Sequence, residues 1–145
     1  MLEKIKDIIK RNDLCVLATI SGGDAHCSLM SYVVDDECHE IYMISHKKTK
    51  KYANLILHPS VSLLIDTREE DRENRRSNVK ALTVTGEFQN IVDPSQKDHL
   101  HSKFLQKHPH LTDFVNDPDA EIFSVKIKLI QLLDGVKDAY FEVVK

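Results

Sequence analysis

The chain has 145 residues, 41% of them apolar and 30% charged, and a net charge of −3. This length and balance predict one globular domain over residues 1–145 with a substantial core. The mildly acidic charge gives no reason to expect nucleic acid or an anionic membrane as partner, and no apolar run approaches the roughly 20 residues of a membrane span.

Leu2, Ile5, Ile8 and Ile9 recur at helical spacing, so residues 2–11 read as an amphipathic helix. The N-terminal "MLEKIKDIIKRND" mixes acidic and basic residues, unlike a signal or transit peptide. Residues 14–20 are rich in strand formers, "SGGD" at 21–24 is a hairpin signal, and 25–34 is the returning strand. "DDECHE" makes a polar turn before a third strand, "EIYMIS", that ends at Ser45. A short helix from Thr49 to Leu57 presents Tyr52, Leu55 and Ile56 on one face, and Pro59 stops it. Residues 60–66 form a fourth strand. "TREEDRENRRSN", with eight charged residues in twelve, reads as an exposed loop.

Strand character returns in "VKALTVTGEFQNI", where Gly86 marks a bulge or a close backbone approach. "DPSQ" at 93–96 starts a helix, with Asp93 as N-cap, Pro94 in the first turn and Gln96 reaching back. Leu100, Phe104 and Leu105 of that helix face the core. "HPHLTDFVNDPDA" is irregular, with one short helix. "EIFSVKIKLI" alternates, with Phe123, Val125, Ile127 and Leu129 on one face. "LDGV" turns the chain into a last strand, "AYFEVV". Six or seven consecutive antiparallel strands favour a barrel over a parallel sheet. Strands 14–20 and 60–66 are apolar on both faces, so the outer face needs a cover from an amphipathic helix or a second subunit.

Lys47, Lys48, Lys50 and Lys51 crowd the start of the helix after Thr49, where the macrodipole favours acidic residues instead. Backbone N–H groups, the Thr49 hydroxyl and lysine ammoniums around one point would suit a phosphate. A solvated basic turn is the alternative, and the residues alone leave both open. The chain lacks a G-x-x-x-x-G-K-[ST] loop, which argues against a nucleotide triphosphatase.

"CVLATI", "HCSLMSYVV", "IYMISHKKTKKYANLILHPSVSLLID" and "TVTGEFQNI" together resemble the pyridoxamine 5′-phosphate oxidase-like family of FMN-binding split barrels, over most of the chain. The most specific part is Ser45, Thr49, Lys50, Lys51, Asn54, Leu55, His58 and Pro59. The resemblance implies a mainly β fold, a six-stranded antiparallel Greek-key split barrel with flanking helices. It also implies a homodimer with FMN in clefts at the subunit interface. Thr49, Lys50 and Lys51 would then hold the FMN phosphate. Ser45, with Ile44 before it, would touch the ribityl chain or ring edge, and Ser28, Leu29, Met30 and Ser31 would line the ring. The family's basic residues in the second strand, its Arg-Gln-Val triplet (here Lys80, Ala81 and Leu82) and its C-terminal Arg-x-His motif are missing. Oxidation of pyridoxamine phosphate itself is therefore not expected. The expectation is a flavin-dependent oxidoreductase acting on a small molecule. The alternatives are a non-enzymatic flavin carrier or sensor, and a haem- or deazaflavin-binding split barrel.

No metal is expected. His99 and His101 point to nearly opposite sides of a helix, and His108 and His110 flank Pro109 without ligand spacing, so surface histidines are the preferred reading. His46 is a possible ligand contact in opposite strand phase to Ser45. Arg72, Arg75 and Arg76 could clamp an anionic substrate, but a solubilising loop is preferred. Cys15, Cys27 and Cys38 are odd in number and lack C-x-x-C spacing, which fits reduced thiols in a cytoplasmic protein.

Overall fold

Ile5, Ile8 and Ile9 bring one face of α1 (Glu3–Arg11) into the main core of the computed structural model, which describes residues 1–73, 78–135 and 138–145. Lys10 and Arg11 complement the helix C-terminus, and the Asn12 side chain donates to the Ile8 carbonyl at 2.7 Å. No described helix is long and apolar enough to cross a membrane.

β1 (Leu14–Ser21) and β2 (Asp24–Ser31) form a hairpin through Gly22 and Gly23, whose φ angles are 57° and 86°. Two positive φ values in a two-residue loop match the strand twist, which explains the paired glycines. β3 (Val33–Val34), β4 (Glu40–His46), β5 (Ser60–Asp66), β6 (Lys80–Asn90), β7 (Ala120–Asp134) and β8 (Asp138–Val143) complete one sheet. Its order is β2-β1-β5-β6-β7-β4-β3, antiparallel throughout, with β8 on the part of the β7 edge beyond β4.

The strand expected over 25–34 is two strands. Ser31 pairs with Leu14 of β1, and Val33 pairs with Tyr42 of β4, so the chain changes partner across Tyr32 alone. One residue thus joins the two ends of the sheet order and curls the sheet into a split barrel. Tyr32 is fully buried; its hydroxyl donates to the Ile9 carbonyl at 2.5 Å, its N–H donates to Asp13, and Lys107 Nζ lies over its ring.

Opposite Gly86 the ladder slips: Thr85 pairs with Leu129 but Gly86 with Ile127, leaving Lys128 as the extra residue of a bulge. A Cβ on Gly86 would lie 2.5 Å from Val125 Cγ1 and 2.7 Å from the Lys126 carbonyl oxygen. The bulge corrects the expected face of Leu129. Phe123, Val125 and Ile127 point into the barrel, then the phase reverses, and Ile130 and Leu132 are the buried pair.

Besides α1, the sheet is flanked by α2 (Lys50–Leu57), α3 (Pro94–Lys107) and α4 (Thr112–Val115). Asp93 caps α3 by accepting from Ser95 N–H and Ser95 Oγ, each at 3.0 Å, in place of the expected reach-back by Gln96. Both faces of β4 are covered. Ile41 and Met43 enter the barrel core, while Tyr42 and Ile44 join a second core with Leu100, Phe104 and Val115 under α3 and α4. Among the described residues nothing gives the outer faces of β1 and β5 such a cover, and Leu14, Ile20 and Leu64 stay exposed there beside Leu29 of β2. Gly135 has φ 75° at the predicted "LDGV" turn, whose Val136 lies outside the described residues.

Candidate functional site

Thr49 stands at the N-cap of α2. Its Oγ1 accepts from the Tyr52 N–H at 3.2 Å and donates to the His46 carbonyl at 2.9 Å. Ser45 is fully buried, and its Oγ sits 3.2 Å from Thr49 Oγ1. A second tie fixes the helix: Asn54 is buried and its Nδ2 donates to Thr19 Oγ1 of β1 at 3.2 Å. The expected apolar face of α2 is corrected here, because Leu55 and Asn54 are its buried residues and Ile56 is exposed.

The four lysines do not act as one cluster. Lys47 Nζ lies 3.6 Å from Glu121, and Lys48 Nζ lies 3.5 Å from Asp119. Lys50 and Lys51 have no acidic partner within 4.0 Å among the described residues. Lys50 is exposed. Lys51 is half-buried, and burial pulls its ammonium below the ordinary lysine range.

Lys51 lies at a cleft of about 200 Å³ that also gathers Leu29, Met30, Ser31 and Ile44. Five of the residues expected at a ligand site therefore share one cavity. Ser45 does not line it; it faces the barrel interior and acts on the cap through Thr49. Ser28 is half-buried on β2 and is not part of this lining, and Thr49 and Lys50 stand beside the cleft at the start of α2. The far wall was not anticipated: Phe104 of α3, then Leu111, Phe114 and Val115. Leu111, Phe114 and Val115 do carry a signal, an i, i+3, i+4 apolar stripe over a single turn.

His46 turns away from this cleft. Its Nε2 lies 3.9 Å from Asp117 and 3.8 Å from Asp119, and the three side chains hold ligand-type atoms within 4.8 Å of one another. Lys48 pairs with Asp119, so the group reads as a polar network that ties β4 to the chain entering β7. His108 corrects the expectation of surface histidines. It is buried, and its Nε2–H donates to the Tyr32 carbonyl at 2.9 Å. Arg72 pairs with Glu69 at 3.7 Å, and Arg75 and Arg76 lie outside the described residues.

A larger groove, about 440 Å³, runs along the uncovered face past Leu14, Val16, Leu29 and Leu64 to Arg68 and Glu70. Leu29 belongs to both cavities, so the cleft opens directly onto the uncovered apolar face.

The family model described as pyridoxamine 5′-phosphate oxidase matches residues 1–134. No curated protein matches the chain in sequence. Among solved structures, General Stress Protein 26 from Bacillus anthracis str. Sterne superposes with a TM-score of 0.75 at 21% identity, over 98% of this chain and 97% of that one. An FAD-binding protein from Mesorhizobium loti gives 0.72 at 17% identity, over 91% and 93%. A heme binding protein from Mycobacterium smegmatis gives 0.84 at 13% identity; the match covers 97% of this chain but 57% of that one. At these identities the superpositions establish a shared fold.

Proposed function

Because this chain belongs to the pyridoxamine 5′-phosphate oxidase family, we propose that it binds FMN in a cleft completed by a second copy, and that it serves as an oxidoreductase for a small molecule. One observation carries the reading. Lys51 is a half-buried ammonium with no acidic partner among the described residues, set at an apolar cleft and at the first turn of a helix. An arrangement of that kind is unfavourable until an anion arrives.

The residues present fit such a ligand. Thr49, Lys50 and Lys51 would hold its phosphate. Met30 and Ile44, both buried, give the ring system an apolar bed and exclude water. The cavity of about 200 Å³ is smaller than the roughly 300–1,000 Å³ typical of ligand sites. One protomer would cover part of the ligand, and the exposed Leu14–Leu29–Leu64 face, continuous with the cleft, supplies the surface on which a second copy would pack. Bound FMN would supply hydride or single-electron transfer, with orientation and electrostatics coming from the chain. Among the described residues Lys51 is the one titratable side chain in the lining, so protons consumed or released in turnover would exchange mainly with solvent or substrate.

A visible spectrum of the purified protein is expected to show the two bands of oxidised flavin; a Soret band would instead indicate haem. FMN is expected to bind at least about tenfold more tightly than riboflavin, since each charge-assisted hydrogen bond contributes about 1.5–3 kcal/mol. Equal affinities would remove the phosphate role of Lys51.

A further inference from the structure

We propose that Phe114 is a ring-contacting residue of the cleft, an inference that rests on the flavin reading above. The chain between α3 and β7 forms the cleft's far wall, and both of its ends are fastened to the strands that line the near side. At one end His108 donates to the carbonyl of Tyr32, the residue after Ser31. At the other, the Lys47 N–H donates to the Asp119 carbonyl at 2.9 Å, and Asp117 and Asp119 lie against His46, two residues past Ile44. A wall pinned at both ends holds its side chains at a fixed distance from the cleft floor.

Within that wall Val115 is buried and Leu111 packs against the outer core, but Phe114 remains 38% exposed at the cleft. Leu29 on the rim is 70% exposed. An aromatic face left open beside an apolar floor suits a flat conjugated ring, which gains from offset or edge contact beyond simple burial. Lys51 supplies the opposite requirement in the same cavity. The two together select a ligand with a planar ring at one end and a phosphate at the other. The ring contact does not depend on the phosphate, and that separates the two roles experimentally.

The test is titration of FMN and riboflavin against wild type, Phe114→Ala and Lys51→Ala. Phe114→Ala is expected to weaken both flavins by the same factor, about tenfold. Lys51→Ala is expected to weaken FMN alone. If Phe114→Ala leaves both affinities within about twofold of wild type, or weakens FMN alone, the ring contact is wrong while flavin binding stands. If wild type binds neither flavin, the flavin reading falls and the contact falls with it.

A second variant guards against misfolding. The chain has no tryptophan and four tyrosines, so Phe114→Trp adds one indole quencher per chain to whatever quenching the tyrosines already give, and the wild-type lifetime is the reference. It is expected to shorten the fluorescence lifetime of bound FMN, whereas Val92→Trp, at a position 85% exposed and outside the cleft lining, is not. An unchanged lifetime in Phe114→Trp with FMN still bound overturns the proposal.

Discussion

The hydroxyls of Ser45 and Thr49 lie 3.2 Å apart, joining the last buried position of β4 to the N-cap of α2. Strand and helix therefore meet at a hydrogen-bonded corner, and the orientation of the helix start depends on it. Thr49→Ala removes the acceptor for the Tyr52 N–H and is expected to cost about 1 kcal/mol. Thr49→Ser should restore most of it. Thermal melts of the three proteins decide the matter; identical melting temperatures for the Ser and Ala variants would show that the cap contributes nothing.

Lys51 predicts a pH dependence with a definite sign. Burial lowers its pKa in the folded chain, so between the folded and unfolded values the unfolded state holds more protons. The unliganded protein should carry the full penalty at neutral pH and shed it as pH rises through the folded pKa toward about 10.4. Lys51→Met should be at least as stable as wild type at pH 7 and should lose this alkaline gain. Phosphate binding raises the pKa again, so FMN should bind with proton uptake at alkaline pH. Calorimetry in buffers of different ionisation enthalpy reads that uptake, and equal uptake in Lys51→Met would assign it to another group.

The thiols should divide two to one. Burial pushes Cys15 up to about 12 and raises Cys38, and both are buried, while Cys27 is exposed. Reaction with a disulfide reagent at pH 8 is expected to modify one thiol per native chain at high dilution and three after denaturation. Cys27 alternates with Leu29 on the outward face of β2. Its reaction should slow as protein concentration rises if two copies pack through that face. A rate independent of concentration would count against the proposed interface.

Gly86→Ala is expected to destabilise by about 1–3 kcal/mol, because the new methyl meets a Val125 methyl at 2.5 Å and the Lys126 carbonyl at 2.7 Å. The backbone carbonyl has no rotamer by which to yield. Denaturant unfolding measures the loss, and a variant within about 0.5 kcal/mol of wild type would mean that the two strands separate at the bulge without strain.

What the sequence made legible was local. Gly22–Gly23, the Thr49 cap, the Asp93 cap and the close approach at Gly86 each follow from the chemistry of a few adjacent residues, and each is found where it was expected. The misses concern pairs distant along the chain. Lys47 and Lys48 read as part of one basic cluster because Glu121 and Asp119, which engage them, lie more than seventy positions later. Leu129 changes face because Gly86, on another strand, sets the bulge. His108 looks like a surface residue until the Tyr32 carbonyl is placed beside it. Family resemblance named Leu29, Met30, Ser31, Ile44 and Lys51 together, and they share one cleft, whereas the apolar stripe of its wall at Leu111, Phe114 and Val115 spans a single turn and stands out little from an irregular stretch.

The exchange of partners at Tyr32 governs how the sheet can open. An ordinary sheet frays from its edges, each terminal strand peeling independently with its own small free energy. Here the two terminal strands of the order, β2 and β3, are consecutive segments of chain, held at their junction by bonds to Ile9, Asp13 and His108. Peeling either edge pulls on the same anchor. Backbone amides of Ser31 and Val33, though on strands with different neighbours, should therefore lose protection against deuterium in one concerted event.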